Sequence, residues 1–288
     1  GQEDTVNDNV TTPADLERSQ QDKMIEANLA KVSRKLLVMS GKGGVGKSTV
    51  ASYVALLLAR RGKKVGLLDV DLHGPTVAKL MDVRGGFDMG EAEGVVRPYR
   101  FSENLGIVSL DMVLGDKDTA VIWRGPMKIG AIRQFISDIE WGTLDFLVVD
   151  SPPGTGDEPL TVAQTIPDAE ALIVTTPQEI SLADVRKSIN FCRQVGLKIL
   201  GVVENMSGFA CPHCGGAIPL FGAGGGAQMA AQMDVPILGQ LPIDPEMVDA
   251  GDRGDLKGLA DRTDLQINEA YDGVLEAILH SDSASGNA

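Results

Sequence analysis

Cysteine is scarce in this chain, with three residues in 288, two of them three positions apart. That is too few for the disulfide framework of a secreted domain, so a reduced, cytoplasmic setting is expected, with the thiols serving as ligands or as core. Long apolar runs are missing too. No stretch of about 18 hydrophobic residues offers a membrane-spanning helix, and residues 1–34 hold no apolar segment of the kind that leads an export signal. Basic charge is also short. Twenty-six Lys and Arg against 40 Asp and Glu leave a formal charge of −14, which repels phosphate backbones and anionic lipid surfaces. Neither nucleic acid nor a membrane is expected as a partner. What remains, 43% hydrophobic and 23% charged residues, is the balance of an ordinary globular protein with a sizeable core.

The chain's ends are poor in large apolar side chains, so residues 1–30 read as a mobile arm and residues 281–288 as a disordered tail. Between them, fully apolar runs recur at 36–39, 65–68, 105–110, 144–149, 171–175, 199–203 and 236–240. Helical spacing fills the gaps. Val50, Tyr53, Val54, Leu57 and Leu58 mark one helix that Gly62 stops, and residues 129–139 repeat the pattern. Continuously apolar strands alternating with helices predict a doubly wound, mainly parallel α/β sheet with helices on both faces. Ligands of such sheets sit beyond the carboxyl ends of the strands. No repeat or linker divides residues 31–280, which are expected to form one domain.

Gly41, Lys42, Gly43, Gly44, Val45, Gly46, Lys47 and Ser48 follow the first strand, open the first helix, and satisfy G-x-x-x-x-G-K-[ST]. Glycines let backbone N–H groups curl around an anion, and the helix N-terminus adds partial positive charge. With Thr49, these residues are the candidate nucleotide cradle. Lys47 is expected to reach the β- and γ-phosphates and Ser48 to ligate Mg²⁺. Lys42 is a second lysine beside the cradle. It makes the loop resemble the deviant Walker A group of ATPases, in which that lysine reaches the nucleotide of a facing subunit.

Asp69 and Asp71 emerge at the end of the second strand, where phosphates would lie. Asp71 is assigned to positioning the attacking water and Asp69 to the Mg²⁺ shell, against the plainer reading that an aspartate at a strand end is also a common helix cap or turn residue. Asp150 ends a further apolar strand and runs into Ser-Pro-Pro-Gly154, a Walker B and switch arrangement. It is expected to bind Mg²⁺ through water while the Gly154 N–H senses the γ-phosphate. His73 reads as a loop residue and Asp157 as a cap.

Cys211 and Cys214 enclose Pro-His in a Gly/Pro-rich segment. Two thiols in one tight turn bite a single metal centre, but a tetrahedral zinc site or an iron-sulfur cluster usually takes four ligands. Two chains supply four, which favours a site shared across a twofold axis. A redox dithiol or an idle pair are the other readings. Cys192, inside a helical pattern, reads as a small core hydrophobe.

These motifs, together with Trp123-Arg-Gly-Pro126 and Glu204-Asn-Met-Ser207, resemble the Mrp/ApbC family of iron-sulfur cluster carrier ATPases over about residues 30 to 280. The resemblance implies a slow, Mg²⁺-dependent ATPase with Lys42, Lys47 and Asp71 as catalytic residues. It implies a homodimer carrying a [4Fe-4S] cluster between paired C-x-x-C loops, receiving it from upstream scaffold proteins and delivering it to apoproteins. It also brings Asn205 and the loop Leu241-Pro242-Ile243-Asp244 to the adenine. Eukaryotic cytosolic relatives add four N-terminal cysteines, which this arm lacks, so no second cluster is expected. A MinD-like positioning ATPase would need a basic amphipathic C-terminal helix, yet residues 265–278 carry Glu269, Asp272 and Glu276. A ParA-like partitioning ATPase would need a basic DNA-binding surface. A structural zinc at the cysteine pair is the remaining alternative.

Overall fold

The computed structural model describes residues 13–72, 74, 76–84, 88–89, 95–110, 112, 125–211, 213–222, 224–262 and 264–281. Among them, eight strands form one sheet. In spatial order these are β12 (Ile237–Gln240), β9 (Lys198–Glu204), β8 (Glu170–Thr175), β1 (Val32–Met39), β7 (Leu144–Asp150), β2 (Val65–Asp69), β6 (Leu105–Ser109) and β5 (Tyr99–Arg100). Every pairing is parallel except β5 with β6, an antiparallel edge that the sequence pattern did not announce. Two short antiparallel ladders stand apart: β3 (Asp88–Met89) with β4 (Val96–Arg97), and β10 (Phe209–Ala210) with β11 (Ala217–Ile218).

Helices cover both faces, which is why the strands read as unbroken apolar runs. In β1, Leu36 and Val38 enter one core while Leu37 and Met39 enter the other, all without exposure. The first core packs α2 (Lys47–Arg60), α3 (Val77–Leu80), α8 (Pro245–Arg253), α9 (Leu256–Ala260) and α10 (Gln266–His280). The second packs α1 (Pro13–Leu29), α4 (Gly125–Asp138), α5 (Asp157–Thr165), α6 (Glu179–Val195) and α7 (Gly225–Gln232). Each fully buried Leu or Val contributes about 1.5–3 kcal/mol of transfer free energy. Truncating one to Ala at the sheet centre would therefore cost more than any surface change.

The expected mobile arm differs from what is found. From Pro13 the chain is helix α1, whose Ile25 and Leu29 are buried in the second core. The Asn28 side-chain amide ties it to the end of α4 and the turn beyond, donating to Ser137 O at 3.1 Å and Ile139 O at 3.0 Å. Asp22 pairs with Arg133 on the same side. A stripe of two apolar residues, four apart, docks this helix even though the first 20 residues or so hold almost no large apolar side chains. Residues 1–12 and 282–288, His73, Trp123 and Arg124 lie outside the described residues.

Candidate functional site

The carboxyl ends of β1, β7 and β2 lie side by side, with Val38 in register with Asp150 and Asp150 in register with Asp69. The loop from β1 to α2 crosses this edge. Gly46, at φ 81°, caps α2, whose first turn has no acidic residue, so its positive end is left for an anion. Gly46 also has no room for a side chain, because a Cβ there would stand 2.2 Å from Asn205 Nδ2. Asn205 in turn donates to Val45 O at 2.9 Å. Replacing Gly46 by Ala is expected to destabilise the fold by about 2 kcal/mol or more, combining left-handed strain with the displaced Asn205. A denaturation midpoint equal to the parent's would contradict this close contact.

Lys47, Asp71 and Asp150 come together at this edge. Buried Lys47 places Nζ 2.5 Å from Asp150 Oδ1 and 3.9 Å from Asp71 Oδ2. Asp150 is fully buried and its Oδ2 finds no hydrogen-bond partner among the described residues. Burial pushes the Asp150 carboxyl up, opposed by Lys47. An unsatisfied buried carboxylate oxygen next to the phosphate loop is costly alone and suits a cation. The cavity bounded by Gly44, Lys47, Ser48, Thr49, Asp71 and Pro153 measures about 310 Å³.

Asp69 differs from the ligand role expected of it. It is fully buried, Oδ1 accepts from Asp71 N at 3.1 Å, and Oδ2 accepts from Val77 N at 3.2 Å and Ser109 Oγ at 3.1 Å. These are the contacts of a turn residue that shapes the Asp71 segment and the start of α3. Burial first, then the charge of Asp150, push its carboxyl up to about 7. Gly154 donates its N–H to Ser40 O at 2.7 Å, which ties the switch segment to the phosphate loop. Lys42 sits half-buried on the loop, and its ammonium makes no ion pair among the described residues.

A second cavity, about 490 Å³, adjoins the first through Gly46, Thr49 and Thr76. Asn205, with Pro242 and Ile243 of the loop named above, lines it, together with Met206, Phe221 and Met247, which sequence reasoning did not single out. A signal for its wall was present. Asp244-Pro245 is a helix-start pair, and Asp244 Oδ1 accepts from Glu246 N at 2.8 Å and Met247 N at 3.2 Å.

The β10–β11 ladder forms the stem of the cysteine hairpin. Gly216 O accepts from Cys211 N at 2.9 Å, Cys211 O accepts from Gly215 N at 2.8 Å, and Gly215 takes φ 70° to close the turn. Cys214 is exposed and Cys211 half-buried, and both are free. The N–H groups of His213 and Cys214, then the Cys214 thiol, hold the Cys211 thiol below its ordinary range, favouring the thiolate that ligates metal. Among the described residues no group of three or more His, Cys, Asp and Glu side chains is arranged to hold a metal ion. Cys192, fully buried beside Met39 and raised to about 11 by burial, is core as expected.

Residues 31–279 match the sequence profile of the ParA family described as NUBPL iron-transfer P-loop NTPase. The chain belongs to this family. Among its members, the iron-sulfur cluster carrier protein of Methanocaldococcus jannaschii is 47% identical over 237 residues, 82% of this chain and 81% of that protein. The cytosolic Fe-S cluster assembly factor NUBP2 homolog of Dictyostelium discoideum is 49% identical over 229 residues, 78% of this chain and 86% of that protein. A solved nucleotide-binding protein of Archaeoglobus fulgidus, in complex with ADP and with cobalt, aligns at TM-score 0.73 and 37% identity over 83% of this chain and 93% of that one. The doubly wound P-loop NTPase fold expected from the sequence is therefore the fold of the family. No described helix is long and apolar enough to cross a membrane.

Proposed function

We propose that this chain is an ATP-hydrolysing carrier that holds a [4Fe-4S] cluster between the cysteine hairpins of two identical chains and delivers it to apoproteins. The observation that carries the reading is the hairpin itself. It presents two free thiols, one lowered in pKa, and among the described residues no third His, Cys, Asp or Glu is arranged with them to hold a metal ion. A single chain offers half of the four ligands a cluster takes, and a twofold axis completes the set. Relatives named as cluster carriers and cytosolic assembly factors support the cargo and a cytosolic setting. Scaffold proteins would load the cluster and iron-sulfur apoproteins would receive it.

The phosphate loop and both cavities support ATP as the driving ligand. Lys47 would exchange Asp150 for the β- and γ-phosphates, and the Gly154 N–H would leave Ser40 O for the γ-phosphate. Asn205 and Pro242 would bound the adenine in the larger cavity. Ser48 and Asp150 would hold Mg²⁺, whose charge would offset that of the phosphates. Asp71 borders the phosphate cavity, where it would orient water, and Asp69 accepts from its N–H. Lys42, unpaired in its own chain among the described residues, is available to the nucleotide of the facing chain.

Transfer is the direct test. Protein reconstituted without oxygen is mixed with a four-iron apoenzyme, and recovery of the acceptor's activity is followed with and without Mg-ATP. Recovery faster than that given by free iron and sulfide at equal concentration is expected. Recovery no faster than the free ions give would contradict the carrier reading.

A further inference from the structure

Glu204 ends β9 fully buried, and five donors converge on its carboxylate. They are Ser207 Oγ, the N–H groups of Gly224 at 3.0 Å, Gly226 at 2.6 Å and Ala227 at 3.3 Å, and Gln240 Nε2 at 2.9 Å. Burial works against ionisation, yet these donors hold the carboxyl below its usual range, so it sits as an anion at the N-terminus of α7. The donors flank the excursion that carries the thiols. Ser207 lies just before residues 208–223 and Gly224 just after them, so one side chain closes the root of the cysteine hairpin. Gly226 leaves no slack, since a Cβ there would stand 2.9 Å from Glu204 Oε2 and 3.0 Å from Thr175 Cγ2.

The next residue is engaged with the nucleotide cavity. Asn205 donates to Val45 O in the phosphate loop, with Gly46 packed against its amide, and its own N–H is fixed to Thr175 O at 2.7 Å. The excursion returns to the same cavity twice. Phe221 lines it, and the lining residue Ile243 donates its N–H to Gly208 O at 2.8 Å, beside the bridge from Ile243 to Phe209. Phosphate loop, cavity wall and hairpin root are thus joined through one peptide unit, with Asn205 on the nucleotide side and Glu204 on the thiol side.

We propose that Glu204 is a positioning residue through which occupancy of the nucleotide cavity changes how the Cys211 and Cys214 thiols are presented. This rests on the reading that the cavity takes ATP, but its test needs no cluster. The rates at which iodoacetamide alkylates Cys211 and Cys214 are measured on the full chain by mass spectrometry, with and without saturating Mg-ADP. Buried Cys192 is the internal control. In the parent, nucleotide is expected to change the hairpin rates by about fivefold or more, the lower range of measured couplings between sites. Glu204→Gln keeps the shape but turns an amide N–H₂ toward backbone donors, and should bring the ratio of the two rates to about 1 while calorimetric nucleotide affinity is retained.

The ratio is the informative readout. A merely structural role would raise both rates together and leave their ratio as in the parent. Gly226→Ala, which crowds the same carboxylate, is expected to behave as Glu204→Gln does. A parental ratio kept in both variants would overturn the proposal. So would a parent that binds nucleotide with no change in alkylation, or a Glu204→Gln chain that loses nucleotide binding, since the carboxylate would then support the cavity itself. A parent that binds no nucleotide at all would overturn the ATPase reading, which is a separate result.

Discussion

Cys211→Ser and Cys214→Ser are each expected to lose most of the iron and sulfide that the parent takes up, with nucleotide binding unchanged. Because the twofold axis repeats each substitution, either one removes two of the four thiolate ligands in the dimer. Loss of an outer-shell partner alone costs about 10–100-fold in metal affinity, and loss of direct ligands exceeds that. The hairpin stem is held by backbone bonds from Cys211 N and Gly215 N, which serine leaves in place, so the loss would come from ligation and not from unfolding. Cys192→Ala is the control. It would cost roughly 1 kcal/mol of packing with iron content retained. Iron and sulfide assays on the three variants check this, and an undiminished cluster in Cys214→Ser would contradict it.

Lys47→Ala and Lys42→Ala are expected to fail in different ways. Lys47 is buried between Asp150 and Asp71, so its removal takes away the phosphate partner and leaves a buried carboxylate unpaired. Nucleotide affinity should fall by about 10²-fold or more, since a preorganised charge contact is lost. A lower unfolding midpoint should accompany it. Lys42 pairs with nothing in its own chain among the described residues, so Lys42→Ala should keep the parental affinity and midpoint. Its turnover should drop by about 10²-fold or more, as for other cations supplied across an interface to the transferring phosphoryl group. Calorimetry with steady-state hydrolysis separates the two. ATP hydrolysis by Lys42→Ala at the parental rate would contradict the cross-subunit role.

The site was legible where chemistry demands a fixed spacing. The phosphate loop, Asp150 and the cysteine pair are contiguous or strand-terminal, and their types have few other reasons to recur in that pattern. Unbroken apolar runs likewise announced a sheet covered on both faces, as Leu36 and Leu37 illustrate by entering opposite cores. What local pattern left open was set by tertiary contact. Asp69 reads as a ligand or a cap from its position alone, and it is Ser109 Oγ, far along the chain, that joins the nearby Val77 N in committing it to the turn. Glu204 looks like any strand-end acid until α7 brings three N–H groups to it. Helix α1 was hidden for the opposite reason, because two buried residues suffice to dock it in a groove that no local signal describes.

Stoichiometry with assembly state tests the shared-cluster claim most directly. Protein reconstituted without oxygen is analysed for iron, acid-labile sulfide and zinc, and its mass in solution is measured by sedimentation. Two thiols per chain against four ligands per cluster predict four iron and four sulfide per two chains, found only in the dimer, with zinc absent. A full cluster on a monomer, or zinc without sulfide at the cysteine pair, would contradict the account.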